Sequence, residues 1–281
     1  MYNYEEEDYL GLVHEIMEDG VDSDDRTGVG TRSLFAPMTL HFSLKNNRMP
    51  VMTSRRTFFR GAVEEFLWMM KGQTDANILK DKNIHIWDGN TTDEFIKKRG
   101  LQNDIPEGNI GALYGYQLRN WNGDMDQYYK HGRRSGIDQL QRVVDILRND
   151  PTSRRVVVSF YNVEQIDYGV LEPCHLMYIF YVNQKTNELY CHLTIRSWDI
   201  MCGGPINVIW TSLFTRVVAD LVGLKAGGIA ITPINAHVYK SHFDMVKEQI
   251  RRQPFEFPTM NITKEVKEIS DIDNLTYEDF Q

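Results

Sequence analysis

The chain has 281 residues, 42% hydrophobic and 25% charged, and 31 Lys+Arg against 39 Asp+Glu give it a formal charge of −8. Such values fit a globular chain with a sizeable core and exclude a disordered segment, a collagen-like repeat and a coiled-coil rod. The acidic balance argues against direct nucleic-acid binding, which needs a basic footprint, and no apolar run reaches the roughly 18 residues of a membrane span. The acidic start, MYNYEEEDYL, is unlike a secretory or transit signal. Cys174, Cys191 and Cys202 form no CxxC or His/Cys ladder. Neither a disulfide framework nor a metal is expected, and the chain reads as reduced and cytoplasmic.

No repeat or Ser/Pro-rich linker divides the sequence, so residues 1–281 read as one domain. Helical apolar spacing over residues 9–20 predicts a first helix closing on Gly20. Residues 24–33, DDRTGVGTRS, read as a glycine-rich loop, and 58–70, FFRGAVEEFLWMM, as a buried helix. The polar stretch 90–109 reads as loop. Residues 136–150 then form an amphipathic helix stopped by Asn149-Asp150-Pro151. Strands are predicted over 154–162, 177–184 and 188–199, the last two joined by a QKTN turn. Residues 205–223 are apolar nearly all round, hence a central buried helix. Strands and helices without regular alternation indicate an α+β fold with helices packed on one sheet face.

Five places could carry chemistry. Cys174 sits where Pro173 ends one segment and a strand begins, with His175 beside it. A thiolate is a strong nucleophile when neighbouring positive charge lowers its pKa; the alternative is a buried, inert thiol. On its helix Glu65 points along the apolar face, while Glu64 lies nearer Arg60. A carboxyl facing a core suits proton transfer, unless the helix is rotated and Glu65 is merely solvated. Arg26, Arg154, Arg155 and Arg196, with Ser197, suit a phosphate monoester, against the alternative of surface ion pairs. Asn207, behind glycines and a proline, could read one edge of a pyrimidine or serve as a helix N-cap. His237 and Tyr239 alternate on a strand, so one face could hold a sugar hydroxyl, or they could form a cross-strand pair. No P-loop, GxGxxG, GxSxG or HExxH is present.

In this order the segments DRTGVGT, RRTFF…EEFLWMMKG, NIHIWDGN, LYGYQLR, DQLQRVV…DPTSRR, EPCHL, RSWD…GGPIN and HVYKSH closely resemble the thymidylate synthase family over nearly the whole chain. The resemblance implies an α+β fold on a large bent mixed sheet and an obligate homodimer, with Arg154 and Arg155 reaching into the partner's site. It implies a nucleoside 5′-monophosphate substrate, with 5,10-methylenetetrahydrofolate as co-substrate. Cys174 would add to C6 of the pyrimidine, making C5 nucleophilic towards the one-carbon unit. Glu65, with ordered water, would manage protons at O4 and the folate nitrogens, and Tyr114 and His175 would belong to the network around the base. Arg26, Arg196, Ser197 and the neighbouring chain's Arg154 and Arg155 would hold the phosphate, His237 and Tyr239 the 3′-hydroxyl. Asp199 would accept from the pterin, and Ile86, Trp87 and Gly203 would line the folate pocket. Asn207 marks the members acting on uracil, where deoxycytidylate hydroxymethylases of phages carry Asp.

The chain departs from that pattern at Ile195 (usually Gln), Ile206 (Phe), Trp210 (Ser), Ile234-Asn235 (Gly-Asp) and Glu172 (small or proline), and it ends at YEDFQ, short of the family's closing tail. Both activities share an exocyclic methylene intermediate, which meets hydride in a dry site and water in an open one. These departures lead to the expectation of a 5-hydroxymethyl-dUMP product, such as a DNA-modifying virus would use. Thymidylate synthesis is the alternative, supported by the retained His175 and Trp87.

Overall fold

The computed structural model describes residues 2–281. The chain runs from helix α1 (Tyr4–Asp19) through strands β1 (Val21–Ser23), β2 (Thr31–Phe35) and β3 (Leu40–Ser43) to helices α2 (Phe59–Met70) and α3 (Asn77–Lys80). Helices α4 (Asp93–Lys98), α5 (Gly115–Asn120), α6 (Met125–His131) and α7 (Gln139–Asn149) follow. Strands β4 (Val157–Ser159), β5 (His175–Asn183), β6 (Glu188–Ile195) and β7 (Trp198–Asp199) come next. Helix α8 (Gly203–Leu221), strands β8 (Lys225–Pro233) and β9 (Asn235–Tyr239), and helix α9 (Phe243–Gln249) complete the regular elements.

Helix α1 starts earlier than its apolar spacing indicates, because the Asn3 side chain caps the Glu6 amide and three glutamates fill the positive first turn. The buried Glu6 carboxylate accepts from the backbone amides of Thr53 and Ser54 at 2.7–3.0 Å, which ties the helix to the next layer. Asp138 caps α7, and its charge also holds Arg119 at 2.8 Å.

Two mixed sheets form, with orders β1-β2-β9-β7 and β3-β8-β6-β5-β4. They are successive stretches of one bent surface. Strand β6 passes into β7 across Arg196-Ser197, and β8 into β9 across Ile234. Across that break Ile234 donates to the Ile195 carbonyl at 2.8 Å, and Asn235 to that of Arg196 at 3.2 Å. The bent mixed sheet expected from the sequence is therefore present. Helix α8 is the crossover joining β6 to the parallel β8, and its packing on β6, β8 and α2 makes the centre of the core. On the other sheet face Val157, Met177 and Tyr181 stand exposed.

Several boundaries differ from the sequence reading. The glycine-rich loop ends at Gly30, since Thr31–Phe35 pairs with β9. The polar stretch 90–109 contains α4, and the strand at 154–162 shrinks to Val157–Ser159. Trp198 and Asp199 leave β6 and pair with β9 in the other sheet. No helix among the described residues is long and apolar enough to cross a membrane.

Candidate active site

The sheet's bend opens a cleft of about 730 Å³, whose walls include Arg26, Cys174, Arg196, Ser197, Asp199, His237 and Tyr239. A β-bulge between His175 and Met177 in β5 falls directly after Cys174. Bulges bend a strand and re-aim its side chains, and this one begins at the residue after the thiol. The Cys174 amide donates to the Tyr114 hydroxyl at 3.0 Å, and its carbonyl accepts from the Arg196 amide at 2.9 Å. Tyr114 itself holds φ at 25°, a conformation that costs a non-glycine residue about 1–3 kcal/mol. The strain sits at the residue that fixes the nucleophile's backbone.

Burial pushes the Cys174 thiol up, and Arg196 and Arg26 pull it back only in part. The lowered pKa sought from the sequence is therefore not established by this chain's own charges. Arg196 donates Nε to the Pro173 carbonyl at 2.9 Å and one terminal nitrogen to that of Glu172 at 3.0 Å. Both bonds lock the guanidinium beside the thiol. Arg26 rides on a turn held by Asp25, whose carboxylate accepts from Thr27 and, at 2.8 Å, from the Gly30 amide.

Glu65 lies on the buried face of α2 and accepts from the Trp87 indole at 2.9 Å, while Ile86 next to it is exposed. Burial raises the Glu65 pKa to about 7, against the smaller opposing effect of that hydrogen bond. Glu64 is buried too, and its partner is Lys82 at 2.6 Å, in place of the Arg60 expected from helical spacing. His175 is buried with Nδ1 2.9 Å from the Tyr178 hydroxyl, and burial alone lowers its pKa to about 4. It is a neutral ring at physiological pH.

Asn207 is one turn inside α8, whose cap is Cys202, so the N-cap alternative is excluded. Its Oδ1 accepts from the Trp198 indole at 3.0 Å, which sets the amide's orientation. A Cβ at Gly203 would meet that Oδ1 at 3.4 Å, so this glycine lies beside the amide. Asp199 Oδ1 accepts from the Met201 and Cys202 amides, both at 3.1 Å. On β9, His237 and Tyr239 share one face, and His237 Nδ1 is 2.9 Å from Asn235 Oδ1.

Arg154 and Arg155 are exposed ahead of β4 and lie outside the walls of this chain's cleft. The sequence reading missed Phe95 and Arg99, which line the cleft from the end of α4. A signal was available: Thr92 as cap, Asp93 and Glu94 in the first turn and Lys97-Lys98 in the last.

A bent mixed sheet carrying a cysteine, arginines and Asp199 around one cleft, with Glu65, Tyr114, His175 and Asn207 outside its walls, defines a class of fold and site, and the comparisons agree with it. The family model described as thymidylate synthase matches residues 7–281, so the chain belongs to the thymidylate synthase family. The thymidylate synthase of Saccharomyces cerevisiae is 40% identical over 276 residues, covering 96% of this chain and 90% of that one. That of Agaricus bisporus is 37% identical over 281 residues, covering 99% and 94%. The bifunctional dihydrofolate reductase-thymidylate synthase of Leishmania major is 41% identical over 269 residues, and the match covers 96% of this chain but 51% of the relative. The chain thus spans about half the length of the bifunctional relatives it matches.

Proposed function

We propose that this protein converts dUMP to dTMP by reductive methylation, with 5,10-methylenetetrahydrofolate as one-carbon donor and reductant. It acts as one catalytic domain over residues 1–281, as a cytoplasmic homodimer. The observation that carries the reading is the convergence of Cys174, Arg26, Arg196, Ser197 and Asp199 on one cleft. Relatives named thymidylate synthase at about 40% identity support it.

In this reading the Cys174 sulfur bonds to C6 of the uracil ring, and the electron pair released to C5 forms the bond to the one-carbon unit. Loss of the C5 proton to a base and breakage of the carbon–nitrogen bond to the folate leave an exocyclic methylene; hydride from the released tetrahydrofolate reduces it to methyl, leaving dihydrofolate, and the carbon–sulfur bond breaks to free the thiolate. Glu65, half protonated near neutrality, takes and returns protons through water. Asn207, its carbonyl fixed by Trp198, offers its amide N–H to the uracil O4. Arg26, Arg196 and Ser197 bind the phosphate, joined by the partner's Arg154 and Arg155. His237 and Tyr239 hold the 3′-hydroxyl. Asp199 accepts from the pterin, with Ile86, Trp87 and Gly203 along the folate.

The 5-hydroxymethyl product gives way as the main reading. Ile195 and Trp210, two of the departures on which it rested beside Asn235 and the missing closing tail, are 1% and 2% exposed and fill the core. The relatives reported above are eukaryotic, and none speaks for DNA modification by a virus. Incubation with 5-fluoro-dUMP and methylenetetrahydrofolate tests the proposal. A covalent adduct on the Cys174 peptide, absent in Cys174→Ser, is expected; an unmodified Cys174 overturns it.

A further inference from the structure

Beside the cleft, β7, the turn into α8 and the short turn Lys240–His242 meet and bring together Asp199, Cys202 and His242. Their ligand atoms all lie within 4.8 Å of one another. Cys202 Sγ stands 3.8 Å from His242 Nε2 and 3.9 Å from Nδ1, although the residues are 40 positions apart in sequence. Cys202 is exposed and the other two are half-buried, so the group is reachable from solvent.

We propose that these three side chains form a binding site for a thiophilic divalent cation of the zinc class, with water as fourth ligand. Sulfur at about 2.3 Å and nitrogen at about 2.0 Å from a tetrahedral zinc are about 3.5 Å apart. The observed sulfur–nitrogen pair is within a few tenths of an ångström of that spacing. The His242 ring has to turn, since its two nitrogens stand almost equally far from the sulfur, and the Asp199 carboxylate has to close in. Its Oδ1 is already fixed by two backbone amides, which orient the group as an outer-shell contact does and leave Oδ2 for the cation. The Tyr239 ring packs edge-on to His242, with centroids 6.1 Å apart, and restrains the imidazole. Nearby Arg55 is engaged with the Met201 carbonyl. On coordination the Cys202 thiol releases its proton to solvent, so thiolate and carboxylate together balance the dication.

Three protein ligands with one open position make an exchangeable site, unlike the closed set of a structural zinc. On the reading of Asp199 as the pterin's acceptor, the cation and the folate need the same carboxylate. Occupancy therefore acts as a brake on folate binding.

Cobalt(II) titration of the full-length chain, followed by its visible bands and the near-ultraviolet thiolate-to-cobalt band, tests the site without substrates. One cobalt per chain, displaced by zinc, is expected. Cys202→Ala removes the thiolate band and weakens binding about 100-fold, His242→Ala weakens it about tenfold, and Cys174→Ser changes neither. A band that persists in Cys202→Ala, or vanishes in Cys174→Ser, places the metal on another thiol and overturns the assignment. So does equal affinity across all three variants. Saturating methylenetetrahydrofolate should lower the apparent cobalt affinity about tenfold, and an unchanged affinity contradicts the brake. Formation of the 5-fluoro-dUMP adduct in Cys202→Ala separates failure here from failure of the functional reading.

Discussion

Glu65 combines a core position with one polar partner among the described residues, the Trp87 indole, and burial places its pKa at about 7 against an ordinary 4.5. A carboxyl whose pKa is raised by folding stabilises the fold while protonated. That contribution is fully present below pH 4.5 and is lost as pH rises through about 7. At about 1.4 kcal/mol per pKa unit the ionised form costs roughly 3 kcal/mol. Glu65→Gln should therefore be more stable than the parent by up to about 3 kcal/mol at pH 8, with no gain at pH 4.5, while activity falls about 10²–10⁴-fold. Urea melts at both pH values check this, and an equal gain at both contradicts it. His175, lowered to about 4, has the opposite sign: its contribution is present above pH 6.5 and lost as pH falls. The two effects oppose each other between pH 4.5 and 6.5. At the base-reading position, Asn207→Asp should move the kcat/KM ratio of dUMP over dCMP towards dCMP by about 10²-fold. A ratio left where it was rejects Asn207 as the selector.

At the scale of elements, α8 shows how a departure from family pattern is absorbed. Trp210 packs against Phe66, Phe160, His175, Tyr178 and Phe214 with ring centroids 5.4–6.4 Å apart. Its Nε1 is buried without a hydrogen-bond partner among the described residues. Trp210→Ala should cost about 3–5 kcal/mol through the cavity it leaves. Trp210→Phe, which also removes the unpaired N–H, should cost under about 1.5 kcal/mol, measured by thermal melts. The same helix was legible in sequence because it is apolar all round, and Glu65 because its neighbours on α2 are apolar. The turn from β6 to β7 was not: Ile195 to Trp198 reads as one unbroken strand, and only pairing of Trp198 with Ala236 reveals the change of sheet. Helix α4 hid because its exposed face is polar, so its caps were the only signal. Glu64 found Lys82 because a loop, invisible to helical spacing, brings the lysine over α2.

For the whole molecule, the exposed sheet face and the outward Arg154 and Arg155 belong to one expectation, a homodimer with shared sites. Two inactive variants, Cys174→Ala and the double Arg154→Glu/Arg155→Glu, should regain activity when unfolded and refolded together. Half of the dimers are then hybrids and half of each hybrid's sites are intact, so recovery should reach about a quarter of the parent's activity. No recovery places the arginines in their own chain's site. The central claim remains the identity of the product. One incubation of the chain with dUMP and 5,10-methylenetetrahydrofolate tests it, with the nucleotide weighed by mass spectrometry and dihydrofolate followed by absorbance. We expect a methylated nucleotide with dihydrofolate formed in step; a hydroxymethylated nucleotide without dihydrofolate would contradict thymidylate synthesis.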